Sequence, residues 1–376
     1  MTEINITSTP AAELLNAEGQ TIAEAVRFRK LATIQKIVSI SPIEGADNIE
    51  VARVLNWDVV VKKGEFSVGS LAAYFEIDSF IPNTLAPFLT KPGHFPKTYN
   101  GVDGEKLRTI RLKGQISQGL LLPVKVVTDK MVELCGNPMG GFVIEGDDVT
   151  DVLGIQKWEA PVSAQLAGMA RGNFPSRIVK TDQERIQNLT RAFANGVLQA
   201  ETYEVQEKCE GSSTTCYILD GEFGTCSRNL DLKETEGNTF WDTARALGVE
   251  QKLREFGQDI AVQFELIGPG VQQNHYKLNK HEFRLFDVQL PNEGGRYMDP
   301  TERAEFAAKY GFTQAPLVDA NWTFGDKTID DVIKMADGKS LINPTVNREG
   351  LVFKANSRKR FTWKAISNLY LSKMKD

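Results

Sequence analysis

From Leu31 to Pro82 the apolar residues come in short runs separated by turns, and that pattern confines this part of the chain to short strands. LATIQKIVSI, EVARVL, DVVVKKG and LAAYFEI alternate or run apolar and are broken by SPIEGADN, Asn56 and the Gly64 to Gly69 region. Side chains that change sides every residue belong to strands, and strands this short at this spacing predict a small barrel. KLRTIRLKGQISQGLLLP adds two strand-like pieces after a loop, Asn83 to Glu105, rich in Pro, Gly, Lys and Asn. A five-stranded OB-type barrel is expected, preceded by a leader with a helical stretch around Ala11 to Phe28.

Pro161, Gly168, Gly172 and Pro175 interrupt the pattern and place a boundary near residue 165, giving domains 1–165 and 166–376. Beyond it TDQERIQNLTRAFANG predicts a capped helix, with Thr181 or Asp182 at its start and Gly196 at its end. TCYILDG, IAVQFELIG, EFRLFDVQL and EGLVFKA predict strands, so the second domain, like the chain, is α+β.

Composition narrows the class without naming it. With 376 residues, 41% hydrophobic and 25% charged, the chain suits a globular protein of two domains. It has no apolar run long enough to span a membrane, and Met1 to Pro10 lacks the pattern of a signal peptide, so a cytoplasmic protein is expected. Cys135, Cys209, Cys216 and Cys226 form no Cys-x-x-Cys pair, which predicts neither disulfides nor zinc. His94, His275 and His281 read as solvated or packing side chains. A net charge of −5 excludes a uniformly basic coat but leaves room for a local basic groove.

The chemistry begins at EKCEGSST, where Lys208 ends a strand-like run and is followed by Glu210 and Gly211. Alone, Lys-x-x-Gly describes many surface turns. Further segments follow in order: CSRN with Arg228, QFELIGPG with Glu265, FRLFD with Phe286 and Asp287, EGLVFK with Glu349, Gly350 and Lys354, and FTWKAISN with Lys364. Together they resemble the motifs of covalent nucleotidyltransferases, and with KTDQERIQN, FELIGPGVQQN and WKAISN the chain resembles the ATP-dependent RNA ligases typified by the Deinococcus enzyme over nearly its whole length.

That resemblance implies an N-terminal OB domain before an adenylyltransferase domain, with Lys208 attacking the α-phosphate of ATP, holding AMP, and passing it to a 5′-phosphate that a 3′-hydroxyl then seals. It implies catalytic roles for Lys208, Glu265, Glu349, Lys354 and Lys364. Glu207, Lys208, Arg228, Glu265, Phe286, Lys354 and Lys364 would bind the nucleotide, Phe286 stacking on adenine and the Glu207 backbone reading its amine. Glu210, Glu265 and Glu349 would hold Mg2+ or Mn2+, directly or through water. The partner would be RNA or an RNA-containing nicked duplex, and the enzyme a monomer. Arg185, Gln187 and Asn188 belong to the segment leading into Lys208 and carry no assigned role.

An amine of pKa about 10.4 is almost wholly charged at pH 7, a cost of roughly 4.6 kcal/mol to neutralise. Burial, Lys354, Lys364 and a divalent ion would lower that value, so a depressed pKa is expected for Lys208. Two residues depart from the wider pattern. Glu210 stands where Asp is commoner, and Thr362 stands where many relatives carry the first lysine of a pair, which removes a cation.

Each residue also has a plainer reading. Phe283 and Phe286 suit a core, Glu349 a solvated turn, and Arg358, Lys359 and Arg360 either a solvated run or a phosphate contact. In the barrel, Arg108, Arg111 and Lys113 suit surface charge or phosphate contact, and Trp57, Tyr74 and Phe75 suit packing or base stacking. A DNA ligase or mRNA guanylyltransferase would usually carry its OB domain after the transferase domain. The rival from another class is a nucleic-acid-binding protein with a silent transferase domain.

Overall fold

The computed structural model describes residues 30–135, 142–159, 167–180, 182–357 and 361–372. The expected leader helix, the boundary near residue 165, Thr181 and the Arg358–Arg360 cluster lie outside these residues. The described chain forms two compact units, residues 30–159 and 167–372.

In the first unit β1 (Ala32–Lys36) leads into β2 (Ser39–Pro42), which pairs with β3 (Ile49–Val54), itself paired with β4 (Trp57–Lys62). Next come β5 (Leu71–Phe75), β6 (Ser79–Pro82), β7 (Lys97–Tyr99), β8 (Val102–Lys106), β9 (Ile110–Leu112), β10 (Gln115–Ser117) and β11 (Leu120–Pro123). β5 lies between β1 and β11, and the Gln118 amide donates to the Asp58 carbonyl at 2.8 Å to join the β10–β11 segment to β4. The ring β1/β2, β3, β4, β10/β11, β5 and back to β1 is an OB barrel.

Strand β5 is buried on both faces. Ala72 and Tyr74 enter the barrel with Trp57 and Val59, while Ala73 and Phe75 pack outward with Val127 of the helix Lys125–Cys135. Trp57, Tyr74 and Phe75 are fully buried, so of their two expected uses they serve packing. A second sheet, β12 (Gln156–Lys157), β6, β8 and β7, is built mainly from the connection between β5 and β10.

The second unit holds two large sheets. One orders β13 (Ala170–Asn173), β18 (Leu230–Leu232), β17 (Glu222–Cys226), β16 (Ser212–Leu219), β19 (Ile260–Ile267), β20 (Glu282–Leu290) and β21 (Arg296–Tyr297). The other orders β14 (Glu184–Arg185), β24 (Thr362–Ile366), β23 (Gly350–Ala355), β15 (Tyr203–Lys208) and β22 (Leu317–Trp322). Both are antiparallel except where β14 meets β24.

Alternation fixes which face of each sheet is covered. Val262, Phe264 and Leu266 of β19 and Phe283 and Leu285 of β20 pack against the helices Thr239–Ala246, Val249–Phe256 and Pro300–Tyr310. Tyr203, Val205, Leu351, Phe353, Trp363 and Ala365 pack against the helix Ile329–Ala336. The intervening residues of both sheets carry the chemistry-bearing side chains.

The helix expected over 181–196 is mostly absent. Glu184 and Arg185 pair in parallel with Trp363 and Lys364, and only Thr190–Ala194 is α-helical before Gly196 turns the chain at φ +74°. A strand partner nearly 180 residues away is invisible to local propensity. Cys209, Cys216 and Cys226 are buried free thiols.

Candidate active site

Three cross-strand rows run over the face of the five-stranded sheet opposite the helix Ile329–Ala336. Lys208 pairs with Gly350 and Gly350 with Ile366; Gln206 pairs with Val352 and Val352 with Lys364; Glu204 pairs with Lys354 and Lys354 with Thr362. On the face of the other sheet opposite its helices Ser213, Glu265 and Arg284 form one row. Beyond it the register of β19 against β20 slips between Gln263 and Phe264, which pair with Asp287 and Leu285. Phe286 is thus the extra residue of a β-bulge, a device that re-aims a side chain and frees its backbone from the ladder.

Lys208 sits at the end of β15 with its Nζ 2.7 Å from Glu349 Oε1. The side chains are 26% and 17% exposed, enough for a ligand to reach the amine. The expected depression of the Lys208 pKa is overturned. Burial pulls it down, but Glu349 and Glu265 outweigh burial and hold the ammonium above its ordinary value. The cations invoked to lower it are engaged elsewhere, Lys364 by Asp182 and Lys354 by Asp287.

Two glycines let this corner close. A Cβ on Gly350 would lie 2.3 Å from the Ala365 carbonyl oxygen, and one on Gly211 would lie 2.3 Å from that of Leu266. Both are closer than atoms can stand, so each glycine is required by backbone approach beside Lys208 and Glu349.

The carboxylates crowd one another. Burial, opposed by Lys208 and reinforced by Glu349, lifts Glu265 to about 8. Burial also raises Glu210, whose Oε2 is buried without a hydrogen-bond partner while its amide donates to the Tyr276 hydroxyl at 2.7 Å. Among the described residues, however, no three acidic, His or Cys side chains converge closely enough to hold a metal directly. Of the two forms expected for Glu210, Glu265 and Glu349, direct or through water, the second fits this spacing: an ion whose coordination is completed by water or phosphate oxygens, the way Mg2+ commonly binds. The crowded carboxylates and the orphaned Glu210 oxygen suit a cation held in that way.

Arg228, in the turn between β17 and β18, and Lys364, on β24, share one carboxylate. Asp182 Oδ2 lies 3.5 Å from Arg228 and Asp182 Oδ1 lies 3.3 Å from Lys364. Lys354 is buried instead. Its ammonium contacts Asp287 Oδ1 at 3.1 Å and the Phe286 carbonyl released by the bulge. Behind it the fully buried Arg303 donates to both oxygens of Glu204 at 2.5 and 2.6 Å. A cavity of about 320 Å³ at this end is lined by Asp287, Lys354, Arg303 and Thr362 among others.

The Glu207 side chain points away from the rows. Its Oε2 accepts the Leu341 amide at 2.6 Å, and its own amide donates to Pro316, which leaves the carbonyl as the backbone group able to accept a base amine. Gln187 is buried, and Asn188 donates to Glu184 at 2.8 Å. His275 Nε2 lies 2.7 Å from the Asn347 carbonyl oxygen and His281 Nε2 2.6 Å from that of Pro269, so both pack. The sequence reading missed Asp182, Arg284 and Val352. The available signal for the last two was period-two spacing along their own strands, Arg284 from Phe286 and Val352 from Lys354; Asp182 had none.

A family model for an OB-fold domain matches residues 31–124, and one described as RNA ligase matches residues 201–366. Among solved structures, a mutant of Naegleria gruberi RNA ligase with AMP and Mn is 41% identical with a TM-score of 0.80, covering 93% of this chain and 100% of that one. Another mutant with ATP and Mn is 41% identical with a TM-score of 0.79, covering 92% and 99%. The same ligase with PPi is 41% identical with a TM-score of 0.79, covering 93% and 100%. No match arises among curated protein sequences.

Proposed function

The chain belongs to the RNA ligase family and is an ATP-dependent RNA ligase, and on that premise we propose that Lys208 is its nucleophile and that the cleft-facing rows around it are its nucleotide site. The Lys208 amine attacks the α-phosphorus, the bond from that phosphorus to the bridging oxygen breaks, and pyrophosphate leaves. Glu349, 2.7 Å away, is the nearest acceptor for the proton the amine must lose. AMP then passes to a 5′-phosphate, and a 3′-hydroxyl displaces it to close the strand.

Arg228 and Lys364 exchange Asp182 for phosphate and ribose oxygens. Their contacts to Asp182 are long, and such partly exposed pairs contribute only about 0–1 kcal/mol, so exchange costs little. Phe286 and Val352 bracket the base, and the Glu207 carbonyl accepts its amine. Lys354 serves by holding the Phe286 backbone, not by touching phosphate. Glu210, Glu265 and Glu349 would hold a divalent ion, through its waters, and such an ion would supply charge neutralisation at the phosphates.

The observation that carries this reading is the convergence, from strands far apart in sequence, of one reachable lysine, crowded carboxylates and two exchangeable cations. Its test is incubation with α-labelled ATP and Mn2+ beside Lys208→Ala. Label retained on denatured wild type alone supports the proposal; label that persists on Lys208→Ala, or label on neither protein, overturns Lys208 as the nucleophile. Part of the same proposal is a cytoplasmic monomer with a domain boundary near residue 165, which sedimentation and limited proteolysis test.

A further inference from the structure

The connection between β5 and β10 is the long arm of the barrel, the one joining its fourth and fifth strands, and it ends in the β9–β10 hairpin. That connection is one of the two places where OB barrels grip polynucleotides. In this chain its charges are unevenly satisfied. Its four acidic residues are Glu76, Asp78, Asp103 and Glu105. Glu76 is buried, Asp78 pairs with Lys106 at 3.3 Å, Asp103 accepts from Thr98 at 2.6 Å, and Glu105 lies 3.7 Å from Lys97. Lys91, Arg108 and Lys113 remain exposed, with no carboxylate partner among the described residues.

The hairpin presents one of these cations, Lys113, at its turn, and Arg108 lies two residues before β9. Leu112 pairs with Gln115, and the two turn residues, Lys113 and Gly114, both have positive φ, +48° and +82°. That is a two-residue turn of the primed type, favoured with Asn or Gly at its first position, and lysine holds that position here at a conformational cost. Every residue of β9 is exposed, Ile110 at 47% and Leu112 at 38%, although a bare two-stranded hairpin is marginal in water. Phe95, in the same arm, is 93% exposed. Apolar and aromatic surface interleaved with unpaired cations, on a chain of net charge −5, fits a sugar-phosphate backbone.

We propose that this arm is where the OB unit holds the polynucleotide flanking the break, with Arg108 and Lys113 as phosphate contacts. The proposal rests on the ligase reading for its ligand but not for its test, which needs neither ATP nor metal. The probe is a nicked duplex with an RNA 3′-hydroxyl strand and a 5′-phosphate, and its affinity for the full chain is measured from about 50 to 200 mM salt.

For Arg108→Ala/Lys113→Ala, the dissociation constant should rise about tenfold or more, and the slope of log affinity against log salt should fall by roughly 1.8, two phosphate contacts at about 0.9 each. The thermal midpoint should not move, since both side chains are exposed. Lys62→Ala/Lys63→Ala, which removes two exposed lysines outside the arm, should leave affinity and slope near wild type. An unchanged slope in the arm variant, or an equal loss in the Lys62/Lys63 control, overturns the proposal. Failure of Lys208 to take label would overturn the ligase mechanism and leave this result standing.

Discussion

Replacing Asp287 by Asn would strand the Lys354 ammonium in a site where the two side chains are only 6% and 4% exposed. Breaking a buried pair by removing one partner typically costs about 3–5 kcal/mol, because the surviving charge is left without compensation. The protein has one escape, which is to deprotonate Lys354, and from an ordinary lysine that costs roughly 4.6 kcal/mol at pH 7. The two figures agree, so the loss should be near 4 kcal/mol and should be proton-linked. Burial already holds the Lys354 pKa below its ordinary value, opposed mainly by Asp287.

If folded Asp287→Asn carries a neutral Lys354 while the unfolded chain carries a charged one, the unfolded state binds one more proton. Stability of the variant then rises with pH, by about 1.4 kcal/mol per unit, and it does so relative to wild type for as long as the folded wild type keeps its own Lys354 proton. Denaturant or thermal unfolding at pH 7 and pH 9 should therefore show a penalty that shrinks, by roughly 2.7 kcal/mol at most. For a unit of this size the pH 7 loss corresponds to a midpoint lower by roughly 8–16 °C. Lys354→Met/Asp287→Asn should recover part of the loss, leaving about 1–3 kcal/mol for the Phe286 carbonyl deprived of its donor. A penalty below about 1 kcal/mol, or one that does not change with pH, would refute the reasoning and return Lys354 to the solvent-facing cations.

Gly350→Ala should reduce label transfer to Lys208 severely and destabilise by about 1–3 kcal/mol, since the β24 backbone must retreat from a Cβ 2.3 Å away; near-normal labelling would show that the close approach is not needed. Glu265, lifted to about 8, is mostly protonated at pH 7, so Mn2+ binding should release most of one proton, read by calorimetry in buffers of different ionisation enthalpy. Glu265→Gln should release none, and equal release from both proteins would rule Glu265 out as the source. Thr362→Lys should be tolerated, because the cavity beside position 362 has room for a longer side chain, and it should raise labelling at limiting ATP; unaltered labelling would show that the missing cation does not limit that step.

The strands of the second unit were legible because each signals itself locally. TCYILDG, IAVQFELIG, EFRLFDVQL and EGLVFKA alternate or carry β-branched and aromatic residues, and each became a strand with close to the expected bounds. What stayed hidden depends on partners distant in sequence. The 181–196 segment has a helix-like composition, yet Glu184 and Arg185 within it pair with β24. Lys208 was expected to lose charge, and Glu349, 141 residues further along, stabilises that charge instead. Lys354 resembled a phosphate contact until Asp287 and the carbonyl freed by the bulge claimed its ammonium.

Period two also explains why the candidate site could be found at all from a motif order. On β15, β23 and β24 the residues between the candidate site residues are core: Val205 lies between Glu204 and Gln206, Phe353 between Val352 and Lys354, and Trp363 between Thr362 and Lys364. Each strand is therefore held in register by one set of side chains, and that register alone aligns the other set into rows. A one-residue slip would send the lysines into the core and Phe353 and Trp363, whose rings stack at 3.8 Å, into the cleft. Motif spacing in such a chain is thus a packing constraint before it is a chemical one. Substitutions at Val205, Phe353 or Trp363 should act on the site by loosening register, whereas those at Lys208 or Lys364 should leave register intact and remove only the contact.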